Sequence, residues 1–101
     1  MDIVVSKNGV PIRLTVERWI HIVENHDDLA GHYDDVLGAI EEPDYIIEGY
    51  EKALIALKEI KEYKFLAVVF KEVSKEDGFI ITAYFTSKIK LEKEMILWQK
   101  K

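Results

Sequence analysis

The sequence contains no cysteine, two prolines and only five glycines in 101 residues. Without cysteine there is no disulfide framework, no thiolate nucleophile and no cysteine-based zinc site. The glycines, at 9, 31, 38, 49 and 78, are too scattered to form a phosphate-cradling loop or a dinucleotide-binding fingerprint. The serines are Ser6, Ser74 and Ser87, and none sits in a G-x-S-x-G nucleophile elbow. No apolar run approaches the roughly 20 residues of a membrane-spanning helix. The opening MDIVVSKNGV lacks the basic stretch and long apolar core of a secretory signal. A reducing, cytoplasmic setting with no membrane partner is therefore the expectation.

What the chain does have is one domain's worth of residues, 49% apolar and 33% charged, enough to bury a single ordinary core. Its net charge of −5 is unevenly spread. Residues 1–50 carry 11 acidic and 3 basic side chains, whereas residues 51–101 carry 8 acidic and 11 basic ones. An acidic surface repels nucleic acid, yet the second half leaves room for a local basic patch.

Local patterns predict the elements in order. Asn8-Gly9 between Ile3-Val4-Val5 and Val10 to Leu14 predicts a β-hairpin over about 2–14. Thr15 suits an N-cap, and Trp19, Ile22, Val23 and His26 recur at helical spacing, so a helix is expected from Val16 to about Asn25. A second helix runs from about Tyr33 to Ile40 and stops before Pro43, because the residue preceding proline avoids the helical region. Strands follow at Tyr45-Ile46-Ile47 and over Phe65 to Phe70, while Ala53 to Lys58 reads as strand more readily than as a helical turn. In the next strand, Phe79, Ile81, Ala83 and Phe85 form the expected core side. Ile80, Thr82, Tyr84 and Thr86 form the other, aligning three hydroxyls. The tail from Lys88 to Lys101 is either a last strand or a short amphipathic helix. No internal repeat or linker interrupts this order.

Three histidines, His21, His26 and His32, are candidates for proton transfer, since imidazole alone among side chains ordinarily titrates near neutrality. His21 and His26 are five residues apart, about 140° around a helix, so they cannot jointly grip a metal ion from a regular helix. Asp27, Asp28, Asp34 and Asp35 have no EF-hand spacing and read as solvated caps. Arg18 can hold a phosphate through paired hydrogen bonds, and Lys88 as a point charge.

Taken together, Arg18-Trp19-Ile20-His21-Ile22 with His26, Glu42-Pro43-Asp44-Tyr45-Ile46-Ile47, the strand Phe65 to Phe70, and Asp77 to Thr86 followed by Lys88-Ile89-Lys90 and Trp98 make an ordered set. In order and spacing it resembles the phage-type nucleases of the barnase–EndoU–colicin–RelE-like fold, small domains found in phages, other mobile elements and prokaryotic chromosomes. Where members often carry His-Pro-Glu, this chain has His26-Asp27-Asp28, and Lys90-Leu91-Glu92 stands where Lys-Lys-Gly is common. The resemblance implies an α+β domain, with an N-terminal hairpin and two helices packed on a twisted antiparallel sheet. It implies a metal-independent endoribonuclease that needs no cofactor, of the kind that serves as a toxin or mobile-element effector. RNA would be its substrate, and a protein inhibitor or antitoxin a natural partner. Carried over residue by residue, the catalytic positions fall on His21, His26, Arg18 and Thr82, and the substrate-binding ones on Tyr84, Thr86 and Lys88.

Such chemistry needs few parts. A base takes the proton of the 2′-hydroxyl, which attacks phosphorus; an acid protonates the departing 5′-oxygen; fixed charges and donors stabilise the phosphorane. Either His21 or His26 could transfer protons. A different reading is a non-enzymatic binding module, whose acidic first half, with Asp27-Asp28, Asp34-Asp35 and Glu41-Glu42, docks a basic partner. The nuclease reading requires the first helix to meet the hydroxyl side of the late strand.

Overall fold

A computed structural model describes residues 1–101. The hairpin forms where Asn8-Gly9 places it, from β1 (Asp2–Val5) and β2 (Pro11–Leu14). Gly9 adopts φ +82°, a left-handed conformation in which glycine has no Cβ to clash. The base of the turn is tied to the sheet by a carboxylate: Glu72 accepts from the Ser6 hydroxyl at 2.5 Å and from the Asn8 amide at 2.9 Å.

Helix α1 (Val16–Asn25) starts as expected, with the Thr15 hydroxyl accepting from the Arg18 amide at 3.1 Å. Helix α2 (Tyr33–Glu41) follows a short 3-10 turn at Asp27–Leu29. Its first residue is held twice. The Tyr33 ring packs edge-on against Trp19, with centroids 5.1 Å apart, and its hydroxyl donates to Asp2 at 2.7 Å.

The remaining strands are β3 (Tyr45–Glu48), β4 (Leu54–Lys61), β5 (Lys64–Glu72), β6 (Gly78–Thr86) and β7 (Ile96–Gln99). They join the hairpin in one seven-stranded sheet ordered β1-β2-β6-β5-β4-β3-β7. Every pairing is antiparallel except the short parallel one between β2 and β6. Of the Ala53–Lys58 segment, Leu54 onward is strand because it is hydrogen-bonded on both sides, to β3 and to β5. The tail is also strand, with a single 3-10 turn at Leu91–Lys93 before it.

The sheet buries both faces, unequally. Leu66, Val68 and Phe70 of β5, with Ile12, Leu14, Ile80 and Ala83, face the helices and meet Ile22, Leu29, Val36 and Ile40. The alternate β5 residues Phe65 and Ala67 face the other way, with Leu57 and Ile47. That second face is covered because β6 and β7 lie four places apart in the sheet. The segment between them must cross it, laying Ile89 and Leu91 on the smaller cluster.

One expectation is corrected in β6. Val69 pairs with Thr82, but the next β5 residue, Phe70, pairs with Ile80. Ile81 is thus an extra residue, a β-bulge. Below the bulge the alternation is shifted by one, so Ile80 joins Ala83 in the core and Phe79 turns to the opposite face. Above it Thr82, Tyr84 and Thr86 share a face as the sequence predicts, but with Val69, Ala67 and Phe65 as partners it is the face turned away from the helices, so α1 meets this strand at its edge and does not lie over its hydroxyls.

Candidate active site

Parallel pairing between β2 and β6 is limited to Ile12 with Gly78 and Arg13 with Phe79. Beyond Phe79, the edge of β6 has no strand beside it. Helix α1 and the Asp27–Leu29 turn pack against β6 instead. The reason lies in the α1 stripe, since Ile22 is buried in the main core beside Ile80 and Ala83. With that side of α1 turned inward, residues at its margins come to the β6 edge.

Two do so directly. Arg18 reaches over the bulge, its guanidinium donating to the Ile81 carbonyl at 3.3 Å. His26, which closes α1 by donating its backbone N–H to the Ile22 carbonyl, has its ring centroid 6.0 Å from that of Tyr84, the planes tilted by 37°. Thr82 lies between these two contacts along the strand. Burial pushes the Tyr84 hydroxyl above its ordinary value, and the negative charge of Glu94 pushes in the same direction. At neutral pH this phenol therefore remains a proton donor.

The other candidates are placed less centrally. His21 is exposed and lines a shallow concavity with Thr15, Glu17 and Arg18. It lies on the solvent side of α1, and only its backbone carbonyl is engaged, accepting from the Asn25 side chain at 2.8 Å. The Thr86 hydroxyl accepts from the Lys88 backbone N–H at 3.1 Å, folding the chain where it leaves β6, and the Lys88 side chain is exposed at that corner. His32 is engaged elsewhere: its ring stands edge-on to Phe85 at 5.2 Å, and Nδ1 lies 2.9 Å from Asp35.

Two residues join the site that sequence reasoning did not single out. Arg13 lines a concavity of about 170 Å³ with Arg18, Thr15, Phe79 and Ile80. The only two arginines of the chain thus gather at one end of the β6 edge. Arg13 is paired with Asp77, donates to the Gly78 carbonyl at 3.3 Å and sits over the Phe79 ring. The signal available was the rarity of arginine itself. Glu94 had no such signal, because only the course of the crossover after β6 decides that its charge is felt at Tyr84.

No group of three or more His, Asp or Glu side chains converges to hold a metal ion. What the arrangement offers is a cationic end, a hydroxyl-bearing strand and an imidazole beside its middle. Compared with protein-family models, curated proteins and solved structures, the chain matches none.

Proposed function

We propose that the protein is a metal-independent endoribonuclease acting along the open edge of β6, by attack of an RNA 2′-hydroxyl on the adjacent phosphate. The observation that carries this reading is the 6.0 Å approach of the His26 and Tyr84 rings. It supports a site at the strand edge, where the imidazole at the end of α1 reaches the Tyr84 ring although the hydroxyl side of β6 is turned away from the helices. His26 is the proton-transfer group, facing the Tyr84 phenol that burial keeps protonated. Arg18, seconded by Arg13, holds a phosphate at the bulge. Thr82 and Tyr84 donate to the charge that develops on the phosphorane, with Thr86 and Lys88 at the exit of the cleft.

Incubation with mixed RNA in excess chelator tests this. Wild type should cleave, His26→Ala should lose about 100-fold or more in rate, and His21→Ala should keep most of it. Absence of cleavage by wild type, or full activity in the His21→Ala/His26→Ala double variant, would end the proposal.

A second reading rests on a groove between α2 and the far ends of β4 and β5. Asp34, Asp35, Glu41, Glu42 and Glu59 outnumber Lys58 and His32 around the rim of a volume of about 460 Å³ above Ala39, Leu66 and Phe85. Such a rim fits a basic partner protein, whether a regulator of the nuclease or the target of a non-enzymatic module. Retained partner binding by a protein with no cleavage would favour the module.

A further inference from the structure

The smaller core cluster leaves a groove of about 510 Å³ between the β4–β5 hairpin tip and the segment that crosses the sheet after β6. Three aromatic rings line it, those of Tyr45, Tyr63 and Phe65, together with Ser87 and Lys90. Tyr45 and Phe65 stand edge-to-face with centroids 6.2 Å apart, forming a fixed aromatic wall.

Tyr63 is the unusual member. It holds φ +63°, a conformation for which glycine or asparagine is the ordinary choice, and it leaves 75% of its surface exposed. Neither feature helps the fold. A tight hairpin gains nothing from a bulky residue in the left-handed region, and a ring this exposed buries little. At the mouth of the groove, this exposed ring is free to stack on what enters.

The groove lies at the end of β6. Ser87 directly follows Thr86, and Thr86 pairs across the sheet with Phe65. From Tyr84 to Thr86 is a rise of about 7 Å along the strand. Glu59 and Glu92 also line the groove and oppose the entry of a phosphate. The occupant that suits it is therefore a flat, uncharged ring, its phosphate left outside on the Lys90 side.

We infer that this groove is a nucleobase subsite for single-stranded RNA, in which Tyr63 stacks on a base neighbouring the scissile phosphate and Lys90 holds the backbone. The inference rests on the ribonuclease reading and deepens it. Single-stranded recognition follows because a base can reach an aromatic wall only when it is unpaired and splayed from its neighbours. The carboxylates of Glu59 and Glu92 accept from exocyclic amino groups, so adenine, cytosine or guanine seats better than uracil.

The test uses the full chain and a non-cleavable 2′-O-methyl tetranucleotide, with ring-proton NMR of the tyrosines and a binding titration. Wild type should show saturable shifts at Tyr45 and Tyr63. Tyr63→Asn should bind about ten-fold more weakly while melting at the same or a higher temperature, because asparagine accepts the left-handed backbone. Lys90→Ala should weaken binding and flatten its salt dependence. Cleavage of long RNA is followed in parallel. If wild type cleaves and Tyr63→Asn changes neither KM nor the tetranucleotide affinity, the subsite is wrong and the nuclease reading stands. If the tetranucleotide binds in the groove but no RNA is cleaved, the nuclease reading fails and the nucleobase site survives it. If the groove takes no nucleotide but an aromatic or aliphatic peptide shifts the same rings, the inference is overturned in favour of a protein ligand.

Discussion

Arg18 hydrogen-bonds the carbonyl of Ile81, the residue at which β6 bulges. A helix side chain thus fastens on the point where the strand departs from regular pairing. The bulge lies just past the point where β2 stops pairing with β6, and the guanidinium takes the Ile81 carbonyl there while keeping other donors for an anion.

If the protein is the ribonuclease proposed, Arg18→Ala should lower cleavage of RNA by about 10- to 100-fold, since both the proposed phosphate contact and the helix-to-strand link are lost. Arg18→Lys should recover only part of the loss, because an ammonium cannot bond a carbonyl and a phosphate with a planar fork. Melting temperature should move little, the side chain being exposed. Rates and melting curves on the same preparations check this, and equal activity in Arg18→Ala would detach the residue from the cleft.

Gly78 opens β6 where it meets both β2 and β5. A Cβ at this position would lie 2.5 Å from Ile12 Cδ1 and 2.7 Å from the Lys71 carbonyl oxygen. The Ile12 methyl can shift, but the backbone oxygen belongs to the β5–β6 ladder and cannot. Gly78→Ala should destabilise by about 1–3 kcal/mol, as other overpacked sites do. Denaturant unfolding measures it. The matched control is Gly38→Ala, which has open space in the middle of α2 and should be neutral or stabilising.

Tyr33 carries the clearest pH dependence. Its hydrogen bond to Asp2, with burial and nearby negative charge adding to it, pushes the phenol up to about 12. Folding thus favours the protonated phenol. The stabilisation is complete below the unfolded value near 10, and it fades as pH rises from about 10 to 12. The difference in melting temperature between wild type and Tyr33→Phe should accordingly shrink across that window and be constant below it. Ultraviolet titration should show one phenol ionising near pH 12 in wild type and missing in Tyr33→Phe.

The sequence alone carried every element whose cause is local. Asn8-Gly9 specifies a hairpin turn, Thr15 caps the helix that follows it, and period-two alternation puts Thr82, Tyr84 and Thr86 on one face, because each of these depends on neighbours a few residues away. Arg18 and His26 could be named from the same stretch as a cation and an imidazole on one helix. Tertiary structure decided the rest. The parallel joining of β2 to β6, the bulge at Ile81 and the return of β7 to β3 are choices of pairing partner and register, and the fit of the whole core sets them rather than the residues next along the chain. Those choices leave the edge of β6 open to α1, bring His26 rather than His21 to Tyr84, gather Arg13 to Arg18, and set Tyr63 at the mouth of a groove. A side chain's chemistry is written in its residue type, but which other side chain it faces is decided only when distant segments compete to exclude water together.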